Sequence, residues 1–585
     1  MSVFKDLWWF FWQERKAYGA GILMLAIVAF LELIPPKIIG NVIDQIEQGA
    51  LTTDLLLKYI MILVGVGIVV YIIRYIWRIF IFGSSVKLAR QLRNELYTHF
   101  TNMSPSFYAR KRTGDLMAHA TNDLQAIQAT AGAGVLTFVD SIMTGGFVLI
   151  AMGSMISWKL TLISLIPMPF MALLTSYYGK LLHKHFHTAQ ASFSSLNNKV
   201  QESMNGIKVM KTLGQQREDT EKFVSHSNVV VEKNLRVAKI DALFDPTISL
   251  IVGVSFFLSI AFGAREVVNG AMTVGELVSF TTYLGLLIWP MLAFGWLFNI
   301  VERGRASYDR VSSLLNEEAV ITDKHSKFNE TVRGDIKYEV SRFAYEESSD
   351  KSILNDIHFQ LNQGKTLGIV GKTGAGKTTL LKLLMREHEI EEGSISINDH
   401  NIKEYTLNSL RRTFGYVPQD HFLFSSTVAD NIAFGHPNAS YEEIIEASKI
   451  AQVHDDIIGF PQKYETVVGE KGVTLSGGQK QRISIARALL IKPEILILDD
   501  SLSAVDGKTE ASILSMLKRV RSHKTTIITA HRLSAVRHAD LILVLDEGKI
   551  SERGTHDSLM SQQGCWYRET FLRQQMESLV EDGGF

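Results

Sequence analysis

The sequence has 585 residues, of which 60 are Lys or Arg and 60 are Asp or Glu, so its formal charge is zero. This balance argues against a nucleic-acid partner held by overall positive charge, and the length excludes a single small module. Cys565 is the one cysteine, which excludes an intrachain disulfide and a multi-cysteine metal site. Long apolar runs occur almost entirely before residue 300, so the two halves of the chain differ in kind.

The first half contains apolar segments long enough to cross a bilayer, which takes about 20 residues. Soluble helices average about 11–12 residues and carry a polar face, unlike these segments. The pattern therefore predicts a six-helix, all-α transmembrane domain over residues 18–305, preceded by an interfacial elbow segment at 1–17 that is rich in Trp and Phe. The six predicted spans are about 18–38, 58–82, 131–153, 157–179, 244–264 and 274–300.

The charges of the connecting loops predict the orientation of these spans. Residues 84–130 carry six Lys or Arg and residues 180–243 carry ten, whereas residues 39–57 carry none. Basic loops stay on the cytoplasmic side. The sequence thus predicts a multi-pass protein of the cell membrane with its N-terminus, C-terminus and second half in the cytoplasm.

The two long basic loops are too long to be structureless connectors. Residues 85–100 and 196–210 read as helical, which predicts that the spans extend as helices well into the cytoplasm. Each pair of extensions is expected to end in a short turn, near residues 113–123 and 213–220.

Polar residues inside the predicted spans are candidates for function. Arg74 and Arg78 lie toward one end of span 2, where snorkelling or helix pairing accounts for them, and Glu32 lies in span 1. Asp140 lies near the middle of span 3, where an acid costs roughly 2.5–3.5 kcal/mol. It either lines a polar substrate path or pairs with a neighbouring helix. Four aromatic residues of span 6 either contact substrates or pack against helices and lipid: Trp289, Phe294, Trp296 and Phe298.

After a charged linker at 306–330, strands alternate with helices, which predicts a soluble α/β domain over 331–575 and a short tail at 576–585. The motif GKTGAGKT at 371–378 follows an apolar strand and opens a helix, the context that a phosphate-binding loop requires. Its backbone N–H groups and the helix N-terminus would hold phosphates. The residues predicted to bind nucleotide here are Gly371, Thr373, Gly374, Ala375, Gly376, Lys377, Thr378 and Thr379.

Mg²⁺ is the metal that such a loop requires. Lys377 is expected to reach the β- and γ-phosphates, and the Thr378 hydroxyl to ligate Mg²⁺. The apolar strand 495–499 ends in Asp499, which fits the second metal-binding element of these ATPases.

The motif LSGGQ at 475–479, between the phosphate loop and the Asp499 strand, resembles the signature of the ATP-binding cassette (ABC) family. With six spans ahead of one cassette, nearly the whole chain resembles a half-transporter of the ABC exporter family, closest to bacterial multidrug exporters. Segments 113–125 and 206–223 resemble its coupling-helix regions.

The resemblance implies further site residues. Tyr345 matches the aromatic that stacks on adenine, Gln419 a catalytic loop residue that also ligates Mg²⁺, and His531 the γ-phosphate switch histidine. Glu470 matches a contact loop typical of exporters, and residues 503–506 match a dimer-interface loop. In the family, the signature binds ATP on the phosphate loop of a second subunit, which here implies a second half-transporter as partner. The signature residues concerned are Ser476, Gly477, Gly478 and Gln479.

The chain departs from the family pattern at Asp500, where the consensus has the catalytic glutamate. Aspartate is shorter by one methylene, about 1.5 Å of reach, and mispositioning a general base costs roughly 10²–10⁴ in rate. Either the backbone adjusts so that Asp500 serves, or the site hydrolyses slowly. The second reading predicts a heterodimer whose other chain carries the glutamate.

The function predicted from the sequence is ATP-driven export of hydrophobic or amphipathic compounds across the lipid bilayer. Two alternatives stay open at this point: a homodimeric lipid exporter, and an ATP-gated regulatory or channel-like membrane protein. Vesicle ATPase activity coupled to substrate separates a pump from a regulator.

Overall fold

A computed structural model of the chain describes residues 2–324, 326–345, 352–469 and 474–582. Glu470 and the side chain of Phe294 lie outside the described residues. The chain divides into two compact units: Met1–Thr101 with Thr113–Glu317, and Asn102–Arg112 with Glu318–Phe585.

The first unit is built from α-helices, three of them 38 residues or longer. They are α1 Ser2–Asp6, α2 Trp8–Gln13, α3 Arg15–Leu31, α4 Ile34–Glu47, α5 Thr53–Asn102, α7 Thr113–Ala118, α8 Leu124–Ala129, α9 Val135–Met152, α10 Trp158–Leu165, α11 Met168–Asn205, α12 Ile207–Thr212, α13 Gln216–Asp241, α14 Phe244–Val268 and α15 Val274–Leu315, while α6 Pro105–Arg110 belongs to the second unit.

Five helical stretches are long and apolar enough to cross a membrane, judged by length and composition over the described residues. The predicted fourth span, 157–179, is not among them. There α10 ends at Leu165 and α11 begins at Met168, with Pro167 between them, because proline lacks the N–H that continues a helix. The predicted count of six spans is therefore not reproduced by these five stretches. The five stretches are Arg15–Glu47, Thr53–Asn102, Thr113–Leu165, Gln216–Val268 and Val274–Leu315.

The long extensions end in turns, but the first turn is not where the sequence pattern indicated. The 50-residue helix α5 stops at Asn102, and Ser104 is extended before Pro105. Helix α7 already occupies 113–118, so the prediction of a turn near 113–123 is wrong. The second turn lies at 213–215, after α12, and contains Gly214 in the left-handed conformation, with φ +68°. This overlaps the predicted 213–220.

Three π-helical turns interrupt the helix that follows α7, at His119–Asp123, Thr130–Gly134 and Gly153–Ser157. Two of them bond to the end of α15. The Thr130 hydroxyl donates to the Ile300 carbonyl at 3.1 Å, and Asp123 accepts from Ser307 at 2.8 Å and from Arg310. Helix α15 is thereby fastened along the third membrane segment.

The second unit carries two sheets. A four-stranded antiparallel sheet has the order β2-β1-β4-β5, and a six-stranded sheet has the order β10-β9-β3-β8-β7-β6. In the larger sheet β9, β3, β8, β7 and β6 run parallel, and β10 pairs antiparallel at the edge. The strands are β1 Ile336–Phe343, β2 Leu354–Leu361, β3 Thr366–Gly371, β4 Glu392–Ile397, β5 His400–Asn401, β6 Phe414–Val417, β7 Ile495–Asp499, β8 Thr525–Thr529, β9 Leu541–Asp546 and β10 Lys549–Gly554.

Helices cover the larger sheet, so that every residue of β7 and β8 is buried. A strand buried on both faces reads as a continuous apolar run, as β7 does. The α-helices of this unit after α6 are α16 Lys377–Leu384, α17 Leu407–Thr413, α18 Val428–Ala433, α19 Tyr441–Ile450, α20 His454–Ile458, α21 Gly477–Leu490, α22 Gly507–Val520, α23 His556–Ser561 and α24 Trp566–Asp582.

Candidate nucleotide site

The carboxyl ends of four adjacent parallel strands meet at one edge of the larger sheet, where doubly wound folds place ligands. Strand β3 leads into the loop 372–376 and helix α16, β7 ends in Asp499, β8 leads to His531, and β6 leads to Gln419. The strand order thus brings the phosphate loop, Asp499, His531 and Gln419 to the carboxyl ends of adjacent strands, on the same side of the sheet.

The loop between β3 and α16 has the backbone of a phosphate cradle. Gly371 has φ +145° and Gly376 has φ +100°, conformations that residues with a side chain rarely adopt. A Cβ on Gly376 would lie 2.6 Å from the Leu354 side chain. Thr373 and Gly374 are exposed at the tip, while Ala375 is buried beneath it. The glycines therefore allow a tight loop whose tip stays open.

Lys377, at the start of α16, is 8% exposed and folds back onto its own loop. Its Nζ donates to the carbonyls of Gly371 at 2.9 Å and Lys372 at 3.0 Å. Burial lowers the pKa of Lys377 from its usual value, against the opposing effect of Asp500 and Asp499. Its ammonium group thus lies beneath the loop, held by neutral carbonyls that anionic phosphates could replace.

Asp499 is a carboxylate that is 1% exposed and surrounded by hydroxyl groups. Its Oδ1 accepts from Thr529 at 2.6 Å and from Thr378 at 3.2 Å, and its Oδ2 accepts from the Tyr416 hydroxyl at 3.3 Å. Among the described residues it makes no ion pair, although a buried charge ordinarily requires one. Buried carboxylate and hydroxyl oxygens are the hard ligands that Mg²⁺ prefers, so the donor set fits this ion.

Asp500 is held in a left-handed conformation, with φ +46°. Its N–H donates to the Thr529 carbonyl at 3.0 Å and to the Thr529 hydroxyl at 2.9 Å, and Ser503 Oγ donates to its carbonyl at 2.9 Å. These contacts fix the backbone from which the short carboxylate projects. A backbone movement that would extend the reach of this carboxylate to that of a glutamate therefore has to break these hydrogen bonds.

Three further predicted residues lie around this edge with different contacts. The Tyr345 hydroxyl lies 3.1 Å from Thr379 Oγ1, so the aromatic expected to stack on adenine lies beside α16. Gln419 is exposed after β6. His531 is exposed after β8, and its carbonyl accepts from Gln574 at 2.9 Å.

The LSGGQ segment opens helix α21. Ser476 Oγ accepts from the Gln479 N–H at 3.3 Å, and Gln479 Oε1 accepts from the Ser476 N–H at 3.1 Å, which forms a capping box. Gln479 Nε2 donates to Asp456 at 3.0 Å. Ser476 and Gly477 are exposed and Gly478 is half-buried, so the N-terminus of this 14-residue helix points its free N–H groups toward the surface.

Three residues at the site were not predicted from the sequence. Tyr416 and Thr529 bond to Asp499 as described above, and His421 is partly buried, with its Nδ1 lacking a hydrogen-bond partner among the described atoms. Burial lowers the pKa of His421 against the charges of Asp420 and Asp500. The position of His421, two residues after Gln419, was the one hint that the sequence offered.

Comparison with known proteins accounts for both units. Residues 18–291 match the family model of the ABC transporter transmembrane region, and residues 354–503 match that of the ABC transporter. The chain is 47% identical over 582 residues to the multidrug resistance-like ATP-binding protein MdlA of Escherichia coli, covering 100% of this chain and 98% of that one. The chain belongs to the ABC transporter family.

Other comparisons support the same family. The transporter is 48% identical over 583 residues to the probable multidrug resistance ABC transporter ATP-binding/permease protein YheI of Bacillus subtilis, covering 100% and 99% of the two chains. Its fold is similar to that of a bacterial Atm1-family ABC exporter with ATP bound, with a TM-score of 0.81 and 27% identity over 96% of this chain and 98% of that one. The protein is an ABC exporter whose ATPase domain drives transport.

Proposed function

We propose that this exporter is one half of an asymmetric pair that moves hydrophobic or amphipathic compounds out across the cell membrane. The observation that carries the proposal is Asp500, which stands beside an otherwise complete nucleotide site where the family has glutamate. Its backbone hydrogen bonds to Thr529 oppose the shift that would carry the shorter carboxylate to an attacking water. The relatives named for multidrug resistance support hydrophobic cargo.

ATP is bound, in this proposal, by the loop 371–379 with Tyr345 against the adenine. The phosphate oxygens replace the loop carbonyls as hydrogen-bond acceptors of the Lys377 ammonium. They also accept hydrogen bonds from backbone N–H groups at the start of α16. His531 and Gln419 lie at the same sheet edge and approach the γ-phosphate and the attacking water. Asp500 polarises that water weakly.

Mg²⁺ would be held by Thr378 and Asp499, with Gln419 as a third ligand. The buried Asp499, to which only hydroxyl groups donate among the described residues, supports this assignment because a dication would supply the missing counter-charge. When bound, the ion neutralises charge on the phosphates.

A second half-transporter completes the assembly. The exposed N-terminus of α21, with Ser476, Gly477 and Gly478, supports a role as an anion site for ATP held on another chain. The most apolar part of α5 has none of its residues buried within this chain, so lipid or a partner must cover it. A partner that carries glutamate would give one competent site, made with this chain's intact signature.

The orientation in the membrane is proposed from loop charge. The segments 84–130 and 180–243 are rich in Lys and Arg, whereas 39–57 carries none, and this asymmetry supports cytoplasmic termini and a cytoplasmic ATPase domain. ATP is then used on the side where it is made.

The asymmetric pair is tested by steady-state ATPase activity of the co-purified complex. Replacing the partner's glutamate with glutamine should abolish most hydrolysis, since that side chain serves the competent site. Asp500→Asn should have a smaller effect because little catalysis depends on it. Asp500→Glu, which restores the missing methylene, should raise turnover at this chain's own site.

The opposite outcome is equally clear. If this chain alone forms a dimer with brisk ATPase activity that Asp500→Asn abolishes, then Asp500 is an ordinary catalytic acid and the homodimeric alternative stands. Flipping of a labelled lipid, with no export of drug-like compounds, would favour a lipid exporter. ATP-dependent ion conductance without substrate-coupled hydrolysis would favour the channel-like alternative.

A further inference from the structure

The short helix α2 exposes tryptophan on one side and buries apolar residues on the other. Leu7 and Phe10 are buried, whereas Trp8 and Trp12 are 62% and 60% exposed and Trp9 is also exposed. Exposed tryptophan of this density is unfavourable in water but is enriched where protein meets the membrane–water interface. This face of α2 is therefore suited to the headgroup region of a bilayer.

A cavity of about 580 Å³ opens where α2 bends into α3. Glu14 forms the break between the two helices, and Phe80 of α5 contributes the far wall. The Tyr18 hydroxyl donates to the Ala131 carbonyl at 2.9 Å, which holds the start of α3 in place. The cavity is lined by Trp12, Gln13, Glu14, Arg15, Lys16, Ala17 and Phe80.

The rim of this cavity carries an excess of positive charge. Glu14 is neutralised by Lys87, whose Nζ lies 3.0 Å from its carboxylate. Arg15 lies over the Trp12 ring at 4.9 Å from the centroid, and Lys16 is exposed. Neither Arg15 nor Lys16 has a carboxylate partner among the residues that the structure describes. Two uncompensated cations thus face a concave surface with aromatic walls.

The position of the cavity relative to the bilayer can be read from helix α5, which crosses the membrane next to it. Phe80 lies at the end of the predicted span 58–82, and Lys87 lies seven residues further along the same helix, about 10 Å at 1.5 Å per residue. The cavity therefore spans the boundary between acyl chains and headgroups. In the orientation proposed above, this is the cytoplasmic boundary, where anionic lipids attract basic segments.

We propose that this elbow cavity binds the headgroup of an anionic phospholipid. Arg15 and Lys16 hold its phosphodiester, while Trp12 and Phe80 pack against the glycerol and the first part of the acyl chains. The proposal rests on the proposed orientation for the choice of leaflet, but not on the asymmetric ATP sites. Its test measures lipid binding and not hydrolysis, so the two proposals fail separately.

The test uses the full-length protein in phosphatidylcholine nanodiscs that contain a small fraction of brominated lipid. Quenching of Trp12 is isolated as the difference between the unmodified protein and Trp12→Phe. Brominated phosphatidylglycerol should quench this signal at a concentration about tenfold lower than brominated phosphatidylcholine does, because each basic residue contributes a preference for anionic lipid. Arg15→Gln/Lys16→Gln should remove the preference while quenching by phosphatidylcholine stays unchanged, which shows an intact fold.

Controls fix the chemistry of the site. Lys16→Arg keeps the charge and should keep the preference. Arg90→Gln/Arg93→Gln removes two exposed charges further along α5 and should also keep it. Equal quenching by both lipids in the unmodified protein, an unchanged preference in the Arg15/Lys16 double variant, or full competition by soluble glycerol phosphate would each overturn the proposal.

Discussion

In the structure, the Lys377 ammonium occupies a position from which it can bind phosphate. Its ammonium is buried and held by two loop carbonyls, which are weaker partners than phosphate oxygens. Burial lowers the pKa of Lys377, so the residue is less strongly charged than a free lysine at alkaline pH. Phosphate binding would restore the charged form.

Lys377→Ala should weaken ATP binding at this chain's own site by about 10–100-fold, since charge-assisted hydrogen bonds contribute about 1.5–3 kcal/mol. Lys372→Ala removes an exposed lysine from the same loop and should have little effect. Binding of a fluorescent ATP analogue measures both.

The affinity of the unmodified protein should also fall as pH rises through the lowered pKa of Lys377, because binding then requires a proton to be taken up. The alanine variant should lack this decline. Equal affinity of Lys377→Ala and the unmodified protein would remove the phosphate loop from the proposed site.

Helix α22 and two strands are joined by one buried arginine. Arg521 follows α22, and its guanidinium donates to the carbonyls of Pro493 and Thr525 at 2.9 Å and of Glu494 at 3.2 Å. These carbonyls lie just before β7 and at the start of β8, the strands that end at Asp499 and Thr529. Burial lowers the pKa of Arg521 to about 10, which leaves it charged at neutral pH.

Arg521→Ala should lower the free energy of unfolding by about 3–5 kcal/mol, because the guanidinium donates to all three carbonyls and, among the described residues, only that of Pro493 has a second side-chain donor, Lys524 at 3.3 Å. Arg519→Ala, two residues earlier and exposed, is the matched control and should stay within about 0.5 kcal/mol. Thermal unfolding of the full chain in detergent compares the two variants. Equal unfolding midpoints for the two variants would mean that water replaces the Arg521 guanidinium without loss of stability.

At the scale of the whole molecule, three membrane segments bring charges together. Glu32, at the break between α3 and α4, pairs with Arg74 of α5. Asp140 of α9 accepts from Thr144 at 3.2 Å and makes no ion pair among the described residues. Of these two acids, Asp140 is therefore the one without an ion-pair partner in the part of the chain that the structure describes.

Asp140→Asn should reduce export of cationic compounds more than that of neutral ones, because the change removes a charge at nearly constant volume. Transport of a matched cationic and neutral pair into inverted vesicles measures the ratio. A similar reduction for both, or merely lower expression, would favour a structural role in helix packing.

The breaks in the helices show where reasoning from sequence was sufficient and where it was not. Hydropathy located the apolar stretches, but averaging over about 20 residues passed over Pro167, which divides the predicted fourth span. The same averaging passed over Pro105. The residue before a proline disfavours the helical conformation, and α5 ends at Asn102, about ten residues before the expected turn. The π-helical turns at His119–Asp123 and Thr130–Gly134 had no local sequence pattern, and both bond to α15, which is distant in the chain.

The sequence by itself determined the phosphate loop and the LSGGQ helix start, because both are contiguous motifs whose glycines and capping residues set the local backbone. Only the tertiary structure decided what surrounds Asp499, since Tyr416 and Thr529 reach it from strands 83 and 30 residues away in the chain. It also decided that Lys87 pairs with Glu14, 73 residues apart in the chain, so that Arg15 and Lys16 have no carboxylate partner in the part of the chain that the structure describes. Strand order and helix packing determine which distant residues become neighbours, and no single stretch of the sequence specifies either of them.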